Sequence, residues 1–128
     1  MVEPLVMKKR EDGKGYTVDG SLPAITALVR QGKELGADLI KCDPCDDVKQ
    51  YHQVVKAAGS PILVRGGGRA PTKDILQRTW DLMQQGAAGI VYGRNVVQHA
   101  DPGGITRAFM SIVHDDASVA KALAMVKE

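Results

Sequence analysis

Ser60-Pro61-Ile62-Leu63-Val64-Arg65-Gly66-Gly67-Gly68 is the stretch on which the fold reading turns. Pro61 to Arg65 is a nearly continuous apolar run, too short for a helix and closed by three glycines. Runs of this kind mark strands covered on both faces, as parallel strands are. The question is then whether the chain on either side repeats the same unit.

It does, in both directions. Downstream, Ile75, Leu76, Thr79, Leu82 and Met83 share one helical face, with Thr72 as the expected cap and Gly86 as the stop. Gly89-Ile90-Val91-Tyr92 reads as the next strand, followed by Gly93-Arg94-Asn95 and a single extra helical turn over 95–99. Asp101 with Pro102 opens another helix through Ile105, Phe109, Ile112 and Val113, and Ser118 caps a last one. Upstream, Asp38 to Cys42 is a strand, and a helix follows from about Asp47 with Val48, Tyr51, Val54, Val55 and Ala58 on one face. Before that, Ser21 and Pro23 start a helix over 22–35 that Gly36 ends. Residues 4–8 are the expected first strand, and 9–20 are polar and read as a loop.

Strands alternating with helices through short connections imply a parallel sheet. Strand ends near residues 8, 41, 65 and 92 give units of the size found in a (β/α)8 barrel, where about 250 residues make eight. The expected fold is therefore α/β, one domain over 1–128, with four βα units equivalent to half of a TIM barrel. An open doubly wound sheet is the alternative, but no Gly-x-Gly-x-x-Gly follows the first strand.

Composition agrees. The 128 residues are 44% hydrophobic but contain only one Trp, one Phe and three Tyr, so the core must be aliphatic. A net charge of +2 with scattered basic residues points away from nucleic acid. No apolar run approaches the ~20 residues that span a bilayer. Two cysteines are too few for a disulfide scaffold, so a reduced, cytoplasmic protein is expected. Cys42-Asp43-Pro44-Cys45 has redox or metal spacing, but a zinc site wants four ligands. The loop reading is preferred and no metal is expected. His52, His99 and His114 read as solvated or capping residues.

Three clusters fall just after strands, at the face where barrel active sites lie. Gly66-Gly67-Gly68 can bring backbone N–H groups close to an anion because no Cβ intervenes. Gly93-Arg94-Asn95 before a short helix is the second anion-type turn, and Arg65, directly before the first, is expected among the phosphate-binding residues. Lys41 ends a strand where a lysine is costly to bury. Desolvation and a nearby Arg65 would favour a neutral, nucleophilic amine. A lysine just past the strand end, reaching into water, is the competing reading.

Gly36-Ala37-Asp38-Leu39-Ile40-Lys41 resembles the Schiff-base strand of the deoxyribose-phosphate aldolase superfamily. Ser60 to Gly68, Gln85 to Gly89, Tyr92 to Asn95 and His99 to Pro102 look more closely like the archaeal-type class I fructose-bisphosphate aldolases. The resemblance runs from about residue 22 onward and corresponds to strands five to eight of that barrel. It implies reversible aldol cleavage of a phosphorylated sugar through an imine on Lys41, with no other cofactor. It implies that Gly66, Gly67, Gly93 and Arg94 hold the substrate phosphate. The family's tyrosine on strand five is missing from Leu5-Val6-Met7-Lys8-Lys9-Arg10, which leaves Lys8 as the residue at that place. Asp43 and Tyr92 are other candidates for proton transfer.

The first four barrel strands have no counterpart here. Two open sheet edges and an apolar face then call for a partner: further copies of the chain or a missing N-terminal half. A phosphate-binding half-barrel without catalysis is the alternative function.

Overall fold

The computed structural model describes residues 1–127. Its centre is a three-stranded parallel sheet of β3 (Ile40–Cys42), β4 (Ile62–Arg65) and β5 (Gly89–Val91), in that order. The register pairs Ile40 with Ile62, Lys41 with Leu63 and Cys42 with Val64, and then Val64 with Ile90 and Arg65 with Val91. Alternation therefore sends Ile40, Cys42, Ile62 and Val64 to one face. All four are fully buried.

That face is covered by α1 (Leu22–Glu34), through Ile25 and Val29, and by α2 (Tyr51–Ala58), through Tyr51, Val54 and Ala58. A second cluster joins α3 (Thr72–Gln84), α5 (Pro102–Asp115) and α6 (Val119–Leu123) around Ile75, Leu76, Ile105, Phe109 and Ile112. Tyr92 packs edge-on against Phe109 with ring centroids 5.0 Å apart. Helices stop where Gly36 and Gly86 predict, both at positive φ, and Gly59 ends α2 in the same way.

Three expectations change. The β4 run is buried on one face only. Leu63 and Arg65 are half-exposed, because among the described residues no second layer covers that side. The first parallel strand over 4–8 does not form. Met7–Lys9 is β1 of an antiparallel hairpin with β2 (Tyr16–Val18), an element hidden in the expected loop. Lys8-Lys9-Arg10 cannot be buried cheaply in a sheet. Gly13 and Gly15, both at positive φ, turn the chain back instead. The place beside β3 is taken by Val2, whose N–H donates to Leu39 O (3.0 Å) and whose carbonyl accepts from Lys41 N–H (2.9 Å). Finally, Pro71 rather than Thr72 occupies the N-cap of α3. Asp101 and Ser118 cap as expected, accepting from Gly104 N–H and Lys121 N–H, whereas Ser21 stands at the N-cap of α1 without a side-chain hydrogen bond and Gln50 takes that place in α2.

No helix among the described residues is long and apolar enough to cross a membrane.

Candidate active site

The parallel register brings the ends of β3, β4 and β5 to one rim of the sheet. Lys41 projects from the uncovered face of β3 with its side chain 19% exposed, and its Nζ lies 2.9 Å from Glu3 Oε1. Arg65 Nη1 shares that oxygen at 3.6 Å, and Arg65 Nε lies 3.2 Å from Asp43 Oδ1. Lys41, Glu3, Arg65 and Asp43 thus form one charged chain across two strands. Asp43 is buried, and its Oδ2 has no hydrogen-bond partner. Burial pushes the Asp43 carboxyl up from its ordinary value, against the pull of Arg65; Glu3 adds to the rise and Lys41 opposes it.

The two glycine turns interlock. Gly66 O accepts from Arg78 Nη2 at 2.6 Å and from Asn95 Nδ2 at 3.0 Å. Arg94 Nη2 reaches Gly67 O at 3.5 Å. A Cβ on Gly66 would come within 2.6 Å of Asn95 Nδ2 and 2.9 Å of a Tyr92 ring carbon, so only glycine fits there. Gly67 has φ +65°. Gly93 precedes the short α4 (Arg94–Val97). A cavity of about 370 Å³ opens among Asp43, Asp46, Gly67, Gly68 and Arg78. A smaller one, about 240 Å³, lies between Arg69, Thr72, Arg94 and His99.

Glu3, at the chain's start, carries no motif and was not among the expected site residues. Only the Val2 bridge to β3 puts it there. Lys8 is not at the expected place. In the hairpin its side chain is 55% exposed and its Nζ lies 3.9 Å from Asp19 Oδ1. Arg65 also departs from expectation, since its guanidinium is engaged by two carboxylates. Tyr92 is committed to packing: Thr79 Oγ1 donates to Ile75 O and so accepts from the Tyr92 hydroxyl at 3.0 Å. Burial pushes that phenol up.

Cys42 and Cys45 are both buried, and Cys45 Sγ donates to Asp47 O. Burial pushes the Cys42 thiol up to about 12, which leaves it a weak nucleophile. No cluster of three or more His, Cys, Asp or Glu suited to a metal occurs among the described residues. His99 acts locally: its Nδ1 accepts from Asp101 N–H, and its Nε2 bonds Thr72 Oγ1 at 3.0 Å.

A strand-end lysine thus lies beside carboxylates, with glycine turns after the next two parallel strands. Comparison with known proteins gives the family. The sequence model of the DeoC/LacD family aldolase matches residues 1–99, and the chain belongs to that family. It is 43% identical over 96 residues to 2-amino-3,7-dideoxy-D-threo-hept-6-ulosonate synthase of Halobacterium salinarum, covering 75% of this chain and 36% of that protein. It is 31% identical over 124 residues to the class 1 fructose-bisphosphate aldolase of the same organism, covering 96% of this chain and 47% of that one. A solved Schiff-base-forming fructose-1,6-bisphosphate aldolase superposes with a TM-score of 0.77 at 31% identity, covering 88% of this chain and 44% of that chain. The α/β fold thus matches part of the TIM-barrel aldolases, and the chain spans less than half the length of these relatives.

Asp43 also makes a stability prediction. A carboxyl whose folded pKa lies above its ordinary 3.8 stabilises the fold below that pH. The contribution is lost as pH rises through the raised value. The melting temperature of Asp43→Asn relative to the parent should therefore climb as pH rises from 3.8 toward neutrality. A pH-independent difference would contradict the assignment.

Proposed function

We propose that this chain carries the Schiff-base and phosphate-binding half of a class I aldolase that reversibly cleaves a phosphorylated sugar. Lys41 is the nucleophile. Its amine adds to the ketone carbonyl, and water leaves to give an imine that draws electrons from the bond to be broken. The only covalent carrier is Lys41 itself, without metal or other cofactor. Gly66, Gly67 and Gly93 receive the phosphate through backbone N–H groups, and Arg94 adds charge. Arg65 orders the carboxylates rather than the phosphate. Lys8 has no part in the chemistry in this reading.

The observation that carries it is the placement of Lys41 on the uncovered sheet face at the same rim as two interlocked glycine turns. The relatives' names and the matched solved structure support it. An alternative, a phosphate-binding module without turnover, is favoured by one feature: the face that Lys41 projects from has no covering layer among the described residues. Either a second copy of the chain or a longer partner half completes the barrel against the open edge of β5.

Incubation with dihydroxyacetone phosphate and borohydride should leave a stable mass increment on Lys41. Lys41→Ala should abolish both adduct and turnover. An adduct elsewhere, or none, rejects the aldolase reading. For self-completion, sedimentation should give a species of at least two chains, and a monodisperse monomer counts against it.

A further inference from the structure

Among the described residues, two buried side-chain polar atoms lack any hydrogen-bond partner: Asp43 Oδ2 and Arg78 Nε. Both residues line the cavity of about 370 Å³ that also contains Gly67 and Gly68. An unpartnered buried acceptor is costly, and folds keep such groups where function uses them. Asp43 is only 4% exposed. Its Oδ1 is held by Arg65 Nε at 3.2 Å, and its Oδ2, closed to solvent in this state, is left without a partner. It follows Lys41 by two residues, so continued strand alternation puts both on the uncovered side. The ion pairs through Arg65 and Glu3 tie the two together.

From this geometry we infer that Asp43, through Oδ2, is the proton acceptor and donor of the aldol step on a substrate held as an imine by Lys41. The inference rests on the aldolase reading above. In the cleavage direction Oδ2 takes the proton of the hydroxyl on the carbon being released. The adjacent C–C bond breaks, its electron pair moves to the iminium nitrogen, and an aldehyde and an enamine result. After the aldehyde leaves, Oδ2 returns the same proton to the enamine carbon, restoring the imine, which water hydrolyses. Asp43 ends as it began.

The other groups nearby are less suited. Glu3 Oε1 is already shared by Lys41 and Arg65, and its side chain is 38% exposed. Tyr92 is bonded to Thr79. Lys8 lies in the hairpin. Asp46 and Arg78 complete the charged lining of the cavity. Arg78, bound to Gly66 O and without a carboxylate partner among the described residues, sets a positive charge behind the glycine turn.

The test compares the parent chain with Asp43→Asn and Asp43→Ala, using dihydroxyacetone phosphate in deuterated water. Two quantities are read: borohydride-trapped adduct on Lys41, and exchange of the carbon-bound proton that must leave to form the enamine. Both variants should trap the imine to an extent similar to the parent. Exchange should fall roughly 10²- to 10⁴-fold, and added formate should partly restore it in Asp43→Ala. Either variant that melts cooperatively decides the matter. Normal trapping with exchange within a few-fold of the parent overturns the Asp43 assignment alone. Absence of any Lys41 adduct in the parent overturns the aldolase reading and the Asp43 role with it.

Discussion

Parallel pairing of β3, β4 and β5 in one register is the constraint on which every candidate group depends. Because Lys41 lies opposite Leu63 and Arg65 opposite Val91, the odd residues of β3 and β4 share the uncovered face. The even residues, Ile40, Cys42, Ile62 and Val64, anchor the opposite face in the core. A slip of one residue would send the lysine into the apolar core and the aliphatics into water. The core that α1 and α2 build on this sheet therefore fixes the register, and the register positions the chemistry.

Charge then organises what register brings together. Lys41 and Arg65 are partly desolvated cations, and each is tolerable there because a carboxylate oxygen of Glu3 or Asp43 lies beside it. Asp43 itself has one oxygen held and one without a partner. The glycine turns are organised differently. Side chains of Arg78, Arg94 and Asn95 grip the carbonyls of Gly66 and Gly67, so loops that glycine would leave loose are held in place. Asn95 also links the β4 and β5 turns into one unit.

Much of this was readable in the sequence, and the parts that were not have physical reasons. The helices, their glycine stops and the three parallel strands follow from periodicity, because each apolar residue has one core to face. The glycine turns were visible because they sit directly after strands. Glu3 was invisible, since its role comes from a bridge made by Val2 and not from any local pattern. The hairpin is not legible there, because a short, exposed Tyr16-Thr17-Val18 strand lies among charged and glycine residues that read as loop. The resemblance places Lys8 at a strand end, whereas its basic neighbours take it to the surface. Thr72 looked like a cap, but Pro71 occupies the N-cap of α3 and the threonine hydroxyl bonds His99.

The central claim is that Lys41, Asp43 and both glycine turns form one site for one phosphorylated ligand. Backbone amide shifts on titration with dihydroxyacetone phosphate test it most directly. The account predicts that Gly66, Gly67, Gly68, Gly93 and Arg94 shift together with Lys41 and Asp43, along a single saturation curve. Shifts confined to the hairpin, or to the cavity between Arg69 and His99 without the Lys41 strand, would contradict it.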